Sequence, residues 1–174
     1  MPVVKLSLAS DSIQQAIDDL KKYKKKLEKA AKEMAKQLSE LGFDVAFSIM
    51  DGHIFTGDTI NSLDVKQTGN NTFVLVANSK AILFFEFGAG VKYGKGHPLA
   101  GEFGYGPGTY PGKGHWDDPN GWYYPTDDPR LIVKTTEDGK TYGHSYGNKP
   151  HMPFYNASKT MRENILKIAR EVLK

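Results

Sequence analysis

Near the start of the chain, hydrophobic residues recur at every seventh position, and this period predicts one long amphipathic helix. The repeating residues are Ile13, Leu20, Leu27, Met34 and Leu41. Ser12 has capping-box spacing to Gln15 and Gly42 is a typical helix stop, so the helix is expected over about residues 12–41. A helix this long either lies along its own sheet with one face in water, which we favour, or pairs with a coiled-coil partner.

After Gly42 the period of the apolar residues changes to two, as a half-buried strand requires. The alternation covers residues 43–50 and returns over residues 63–67. Gly69-Asn70-Asn71 then turns the chain into a further strand, which completes an antiparallel hairpin. The sheet is therefore expected over about residues 43–77, followed by a short helix over about residues 79–87 that Gly88 ends.

The second half of the chain is predicted as an extended insertion followed by a final helix. Residues 88–149 combine many glycines with aromatic side chains, and Glu137 to Lys140 form the turn of a second hairpin. A helix is expected over about residues 153–173, because Pro153 suits a first turn and apolar residues then form one stripe.

These elements predict an α+β fold in one domain over residues 1–174. A small antiparallel sheet would have the long N-terminal helix and the C-terminal helix packed on it. The insertion, rich in glycine and aromatic residues and containing the second hairpin, would project as an arm.

Composition removes several kinds of chemistry. The 174 residues include no cysteine, which excludes disulfides, thiolate metal sites and cysteine nucleophiles. The five histidines are never three or four positions apart, and neither a P-loop nor the G-x-S-x-G of serine hydrolases is present. We therefore expect no metal site, no cofactor and no catalytic residue. No stretch resembles a signal peptide or a membrane span, so a cytosolic protein is expected.

Positive charge is concentrated in the first helix. Between Lys21 and Lys36 the chain has eight lysines and two glutamates, whereas the net charge of the whole chain is +3. The basic face consists of Lys21, Lys22, Lys24, Lys25, Lys26 and Lys29. Such a face is either a solvated helix surface or a non-specific contact with the phosphate backbone of DNA.

The segment from Ala81 to Gly90 is the most informative, because it places one carboxylate, Glu86, in an apolar run that ends in glycines. A buried acid needs a partner, and we expect a cation such as Arg162 or Lys149. This segment has the pattern A-x-x-F-x-E-F-G-x-G, and residues 150–157 have the pattern P-x-x-P-F-x-x-A. With the final amphipathic helix, the two patterns resemble the tail-component family of long-tailed bacteriophages and prophages, the gp-ten-like neck or tail-completion proteins.

The resemblance implies a non-enzymatic structural protein of the virion at the head-tail junction, serving as a tail-completion, neck or minor tail component. It implies a ring of identical subunits, for which a hexamer is one possible form. The ring would assemble in the cytoplasm of the bacterial host and then remain in the virion. The implied partners are portal or head-closure proteins and tail-tube or tail-terminator proteins, with non-specific contact to phage DNA and none to a membrane. The candidate subunit-interface residues are Glu86, Phe87, Gly88, Tyr93, Phe103, Tyr105, Tyr110, Trp116, Pro150, Pro153 and Phe154.

Two other functions stay open on the sequence. A nucleic-acid-binding protein from a prophage would use the basic helix. An enzyme from the same gene cluster would need a carboxylate or histidine pair that the spacing of these residues does not show.

Overall fold

A computed structural model describes residues 10–53, 57–79, 81–105 and 118–174 of the chain. Four helices form in these residues: α1 (Ser10–Asp51), α2 (Gly57–Asn61), α3 (Ile82–Phe87) and α4 (Pro153–Val172). Five strands form two antiparallel sheets: β1 (Leu63–Gln67) pairs with β2 (Phe73–Ala77), while β3 (Trp122–Pro125) and β4 (Lys134–Thr135) both pair with β5 (Thr141–Ser145). The predicted α+β fold class is confirmed. No helix within the described ranges has the length and apolar character needed to cross a membrane.

The first helix does not end at Gly42, and the predicted strand over residues 43–50 is wrong. Helix α1 has 42 residues and continues to Asp51, a length of roughly 63 Å. Gly42 lies where α4 crosses α1, because a methyl group on Gly42 would come within 2.8 Å of the sulfur of Met161. The glycine therefore serves close helix packing rather than helix termination.

The alternating pattern after Gly42 has helical spacing as well, which explains why it misled the prediction. Phe43 and Phe47 lie four residues apart and stack with ring centroids 5.9 Å apart. Ala46 and Met50 have the same spacing and are almost completely buried. The residues that face the core therefore repeat with the period of a helix.

Helix α4 packs antiparallel along the C-terminal part of α1, and this is the most extensive contact between two elements. Gly42 lies beside Met161, whereas Lys26 donates a hydrogen bond from Nζ to the carbonyl oxygen of Lys174 at 3.4 Å. The first 16 residues of α1 therefore extend past the end of α4 by roughly 24 Å. We call this segment, residues 10–25, the overhang.

The hydrophobic core lies at the other end of α1, where it meets the first sheet, α3 and α4. Its buried members are Ala46, Met50, Leu63 and Ala157. Leu75 and Ala77 pack against them from β2, opposite Val65 and Leu63 of β1. The predicted hairpin with its turn at residues 69–71 is confirmed. The short helix α3 begins at Ile82, three residues later than expected, and Gly88 follows its end as expected.

The second sheet has the strand order β3-β5-β4, and the predicted second hairpin is its β4–β5 pair. The pairing of β3 with β5 was not predicted. Trp122 on β3 is buried, and a main-chain bridge between Ala89 and Asn148 ties the base of this sheet to the end of α3. The insertion is therefore anchored at its base, and its projection as an arm stays a prediction.

Candidate functional site

Glu86 lies in the last turn of α3 with only 6% of its surface exposed. Its carboxylate accepts a hydrogen bond at Oε2 from the main-chain nitrogen of Phe154, at 2.8 Å, and one at Oε1 from the main-chain nitrogen of Tyr155, at 2.9 Å. Oε1 also lies 3.0 Å from Nε2 of His97. The buried charge is thus held by three donors, as a carboxylate withdrawn from water requires.

These contacts make Glu86 the N-terminal cap of α4, although it belongs to another helix. The first turn of any helix has main-chain N–H groups without partners inside the helix. In the first turn of α4, Pro153 has no N–H, and the N–H of Asn156 donates to the carbonyl oxygen of Met152 at 3.0 Å. The N–H groups of Phe154 and Tyr155, which lie between them, donate to Glu86. Met152 occupies the cap position and contributes no side-chain bond. The negative charge of Glu86 also interacts favourably with the positive end of the helix dipole.

His97 is the third partner of Glu86, and the expected cation, Arg162 or Lys149, is not; that prediction is wrong. Nδ1 of His97 accepts a hydrogen bond from the N–H of Leu99 at 3.1 Å, so Nδ1 carries no proton. The proton therefore lies on Nε2, which donates to Glu86. Both ring nitrogens are engaged, and the side chain is 2% exposed.

The carbonyl groups at the end of α3 bind the segment that precedes α4. Asn148 donates from Nδ2 to the carbonyl oxygen of Phe84 at 2.9 Å. The main-chain N–H of His151 donates to the carbonyl oxygen of Phe85, also at 2.9 Å. The end of α3 and the start of α4 therefore satisfy each other's unpaired main-chain groups.

Gly88 allows these two segments to approach each other. Its φ is +80°, and a methyl group at this position would lie 2.8 Å from the carbonyl oxygen of Asn148. Next to it, Ala89 and Asn148 exchange two main-chain hydrogen bonds of 2.9 and 3.0 Å. In total six hydrogen bonds join residues 84–89 to residues 148–155, and we call this arrangement the junction. The two sequence motifs therefore meet in space.

An open groove of about 660 Å³ lies beside the junction, between β2, α3, α4 and the loop that carries His97. Its walls are mostly apolar and its edge is charged. The apolar side chains include Leu75, Leu83, Phe87, Phe103 and Phe154. The exposed charged side chains at the edge are Lys159, Arg162 and Glu163, whereas Glu86 is buried in the wall. Tyr105 stacks on Phe87 with ring centroids 4.4 Å apart, which holds the loop against α3.

The structure thus brings several predicted interface residues together around the groove, while others lie elsewhere. Gly88, Pro150 and Pro153 are packed inside the junction, where they contact other parts of the same chain. Tyr93 lies apart from the groove lining, with the ammonium group of Lys92 5.3 Å from its ring centroid. Tyr110 and Trp116 lie outside the described residues. An interface role for any of these residues stays a prediction.

The predicted basic face lies on an exposed part of α1. The side chains of Lys21, Lys22 and Lys24 are 68%, 80% and 78% exposed. Each forms a loose ion pair within the helix, at 3.6 to 3.8 Å, and the acids are Asp18, Asp19 and Glu28 in that order. Lys25 and Lys29 lie near the turn of the first hairpin. Half of the six lysines thus have an acidic neighbour that reduces the local positive charge.

A second cluster of rings lies at the C-terminal end of α1. The ring centroid of His151 is 4.1 Å from that of His53 and 4.6 Å from that of Phe85. Burial lowers the pKa of His151 from its usual 6.5, and the nearby charge of His53 lowers it further. In the part of the chain that the structure describes, no group of three or more acidic or histidine side chains could hold a metal ion.

His97 is the site residue that the sequence analysis missed. The available signal was indirect, because Glu86 lacked a nearby partner and Met152 at the start of α4 lacked a capping side chain. Fold and site together define an α+β protein with a buried carboxylate cap and an open apolar groove. No protein-family model matches the chain, and neither a curated protein nor a solved structure matches it. Membership of the phage tail-component family therefore stays a prediction.

Proposed function

We propose that this protein is a structural component of the head-tail junction of a tailed bacteriophage or prophage, acting through a ring of identical subunits that contacts the neighbouring head and tail proteins. The observation that carries the proposal is the apolar groove beside the junction. Leu83 is 40% exposed and Phe103 57% exposed on its walls. Apolar side chains gathered in an open recess with a charged edge are typical of a surface that receives another protein.

The junction supports this function because it makes the groove rigid before any partner arrives. Six hydrogen bonds fix α3 against the start of α4, and the stack of Tyr105 on Phe87 fixes the loop. A preformed surface loses little conformational entropy on binding. The groove can therefore bind a neighbouring subunit without a folding step of its own.

The hydrogen bonds of Glu86 and His97 also support an assembly role rather than catalysis. A general acid or base must be able to exchange a proton with a substrate. Here both carboxylate oxygens accept main-chain N–H groups, and both nitrogens of His97 are engaged. The acid-histidine pair that an enzyme would need is thus used to join α3 to α4.

The proposal is tested by complementing a phage that lacks this gene with the Leu83→Asp variant. Because Leu83 is partly exposed in the groove, the variant should fold while its new charge blocks an apolar partner. Electron microscopy of the lysate should then show separate heads and tails instead of complete virions. Glu86 is unsuitable for this test, because its loss would destabilise the start of α4.

Leu166→Asp provides the matched control, since Leu166 is 69% exposed on α4 and does not line the groove. This variant should restore complete virions. Complete virions from a folded Leu83→Asp protein, in wild-type numbers, would contradict the proposed role of the groove.

The exposed basic face supports a second candidate function, contact with the phosphate backbone of nucleic acid. Lys21, Lys22 and Lys24 extend into solvent from the overhang. Affinity for duplex DNA should then fall steeply with added salt in a filter-binding assay. A slope near zero in the plot of log affinity against log salt would remove this function.

A further inference from the structure

The outer edge of β2 presents main-chain groups that β1 does not use. The N–H of Thr68 donates to the carbonyl oxygen of Thr72 at 3.0 Å, which fixes the alternation of hydrogen bonds along the β1–β2 ladder. Val76 therefore bonds to β1, whereas the N–H and C=O groups of Leu75 and Ala77 point away from β1. Among the residues that the structure describes, none bonds to these outward groups.

The groove lies on this outer side of β2. Leu75, Val76 and Ala77 line it together with Ser158 and Arg162 of α4, while β1 lies on the other side of β2. An open strand edge is a template for a further strand, whose main chain bonds to the edge while alternate side chains fill the recess beside it. The groove is therefore shaped for an extended segment.

We infer, on the basis of the proposed function of the groove, that residues 4–8 of a second copy of this chain form this strand. In the sequence, Val4, Leu6 and Leu8 alternate with Lys5 and Ser7, which is the pattern of a strand with one apolar face. The apolar face lies against the floor of the groove, and the polar face lies in water.

The strand comes from a second copy because the same copy cannot reach its own groove. Val4 lies six residues before Ser10, so the two are at most roughly 22 Å apart. Ser10 is separated from Ala46 by roughly 54 Å of α1, and Leu75 packs against the core that contains Ala46. In the second copy, the overhang keeps the packed body roughly 24 Å away from the groove that its residues 4–8 fill.

The donated strand runs antiparallel to β2. Helix α3 begins at Ile82, five residues after Ala77, and lines the groove at that end. The α1 helix of the second copy must therefore leave the groove at the Phe73 end. Because α1 follows residue 8 in the chain, Leu8 lies near Phe73 and Val4 near Ala77, and this direction is opposite to that of β2.

Synthetic peptides of residues 1–9 test the strand, with the full-length Leu6→Asp protein as the acceptor because its own segment no longer suits an apolar groove. The peptide should bind in isothermal titration calorimetry. Methylation of the main-chain nitrogen of Leu6 in the peptide should weaken binding at least about tenfold, since this N–H donates to β2. Methylation at Ser7 should change the affinity less than about twofold, since that N–H points away from β2.

Three results of the titration would overturn the inference. They are no binding of the unmethylated peptide, an equal loss from both methylations, and a loss from methylation at Ser7 alone, which would indicate a parallel strand.

Two double variants locate the peptide on the acceptor. Leu83→Asp, added to Leu6→Asp, should abolish binding because it places a charge in the groove, whereas Leu166→Asp should leave the affinity unchanged. Unchanged binding to a folded protein with Leu83→Asp would also overturn the inference.

Self-association of the full chain gives an independent test. In sedimentation, Leu6→Asp should weaken association at least about tenfold relative to the wild type. Ser7→Asp adds the same charge to the face in water and should have little effect. Equal association constants for the wild type and Leu6→Asp would contradict the donated strand.

The outcomes separate this inference from the virion function. If Leu83→Asp yields separate heads and tails but the peptide does not bind, only the donated strand is contradicted. If the peptide binds but Leu83→Asp yields complete virions, only the virion function is contradicted.

Discussion

At the residue scale, Glu86 shows how one buried charge can link two distant segments. Its carboxylate accepts main-chain N–H groups of Phe154 and Tyr155, which lie 68 and 69 residues further along the chain. A charged acceptor at a helix N-terminus contributes more than a neutral one, because the bonds are charge-assisted and the helix dipole adds to them. Glu86 therefore stabilises the start of α4 and, through it, the wall of the groove.

Glu86→Ala should lower the free energy of unfolding by about 3 kcal/mol, because two main-chain N–H groups and His97 lose their shared acceptor. Denaturation in urea measures this loss. Glu163→Ala is the matched control, since Glu163 is exposed at the edge of the same groove, and it should change stability by less than about 0.5 kcal/mol. Similar stabilities for the two alanine variants would contradict the capping role.

His151 should make the stability of the fold depend on pH. Burial and His53 lower its pKa in the folded protein below the usual 6.5, so between these two values the unfolded chain binds more protons. The free energy of unfolding should therefore fall as the pH is lowered from 7.5 through 6.5 towards the folded pKa. His151→Phe, which leaves the main-chain bond to Phe85 in place, should reduce this pH dependence in urea denaturation. An identical pH dependence in both proteins would contradict the assignment.

At this scale the sequence predicts that Glu86 needs a partner, because burying an unpaired acid among apolar side chains costs free energy. The partner itself could not be predicted. Every residue except proline has a main-chain N–H group, so the amino-acid sequence does not single out Phe154 and Tyr155 as donors. Side-chain chemistry alone therefore favours a cationic partner such as Arg162, and it does not reveal the main-chain donors at the start of α4.

At the element scale, α1 and α4 pack closely because small residues lie where they cross. Ser39, Gly42 and Ala46 are buried on α1, and Ala157 is buried on α4. Small side chains let two helix axes approach, and Met161 fills the space above Gly42. The contact continues to Lys174, so the long helix is supported over the part that α4 covers.

Gly42→Leu should destabilise the protein by about 1 to 3 kcal/mol, because the new side chain would occupy the space of Met161. Met161→Ala in the same protein should recover part of this loss, and a double-mutant cycle in urea measures the coupling. The expected coupling is favourable. Additive effects of the two substitutions would contradict the close approach of α1 and α4 at Gly42.

The ends of elements were harder to predict than their existence. Glycine after a helical pattern indicates either a helix end or a close helix contact, and only the position of α4 distinguishes the two at Gly42. The strand predicted over residues 43–50 failed for the same reason, since Phe43 and Phe47 fit both periods over a short distance. The hairpin at residues 69–71 and the start of α4 at Pro153 carried local turn and proline signals, and both were predicted correctly.

At the scale of the whole molecule, the protein has a packed body at one end and the overhang at the other. Among the residues that the structure describes, apolar side chains stay exposed in the groove beside the junction and along the overhang. They lie at different ends of α1, so different neighbours can occupy them at the same time. This arrangement is what a subunit needs if it must contact both its own copies and other proteins.

The fold class could be predicted because it follows from local patterns: two amphipathic helices and two hairpins leave few ways to bury their apolar faces. The junction could not, since no local pattern links Ala89 to Asn148 or places β3 beside β5. The contact of Ala89 with Asn148 joins distant parts of the chain, and it lies where the end of α3 and the start of α4 satisfy each other's polar groups. The position of the groove follows from these contacts and was likewise unpredictable.

We propose that a neighbouring protein covers the groove in the assembled particle, and hydrogen exchange measured by mass spectrometry tests this most directly. The free protein should be compared with the protein in purified virions. Main-chain amides of residues 81–87 and 97–105 should exchange at least about tenfold more slowly in the virion, because a partner excludes water there. Residues 136–140, in the turn of the second hairpin, should exchange at similar rates in both. Equal exchange rates over residues 81–87 and 97–105 in the two states would contradict the account.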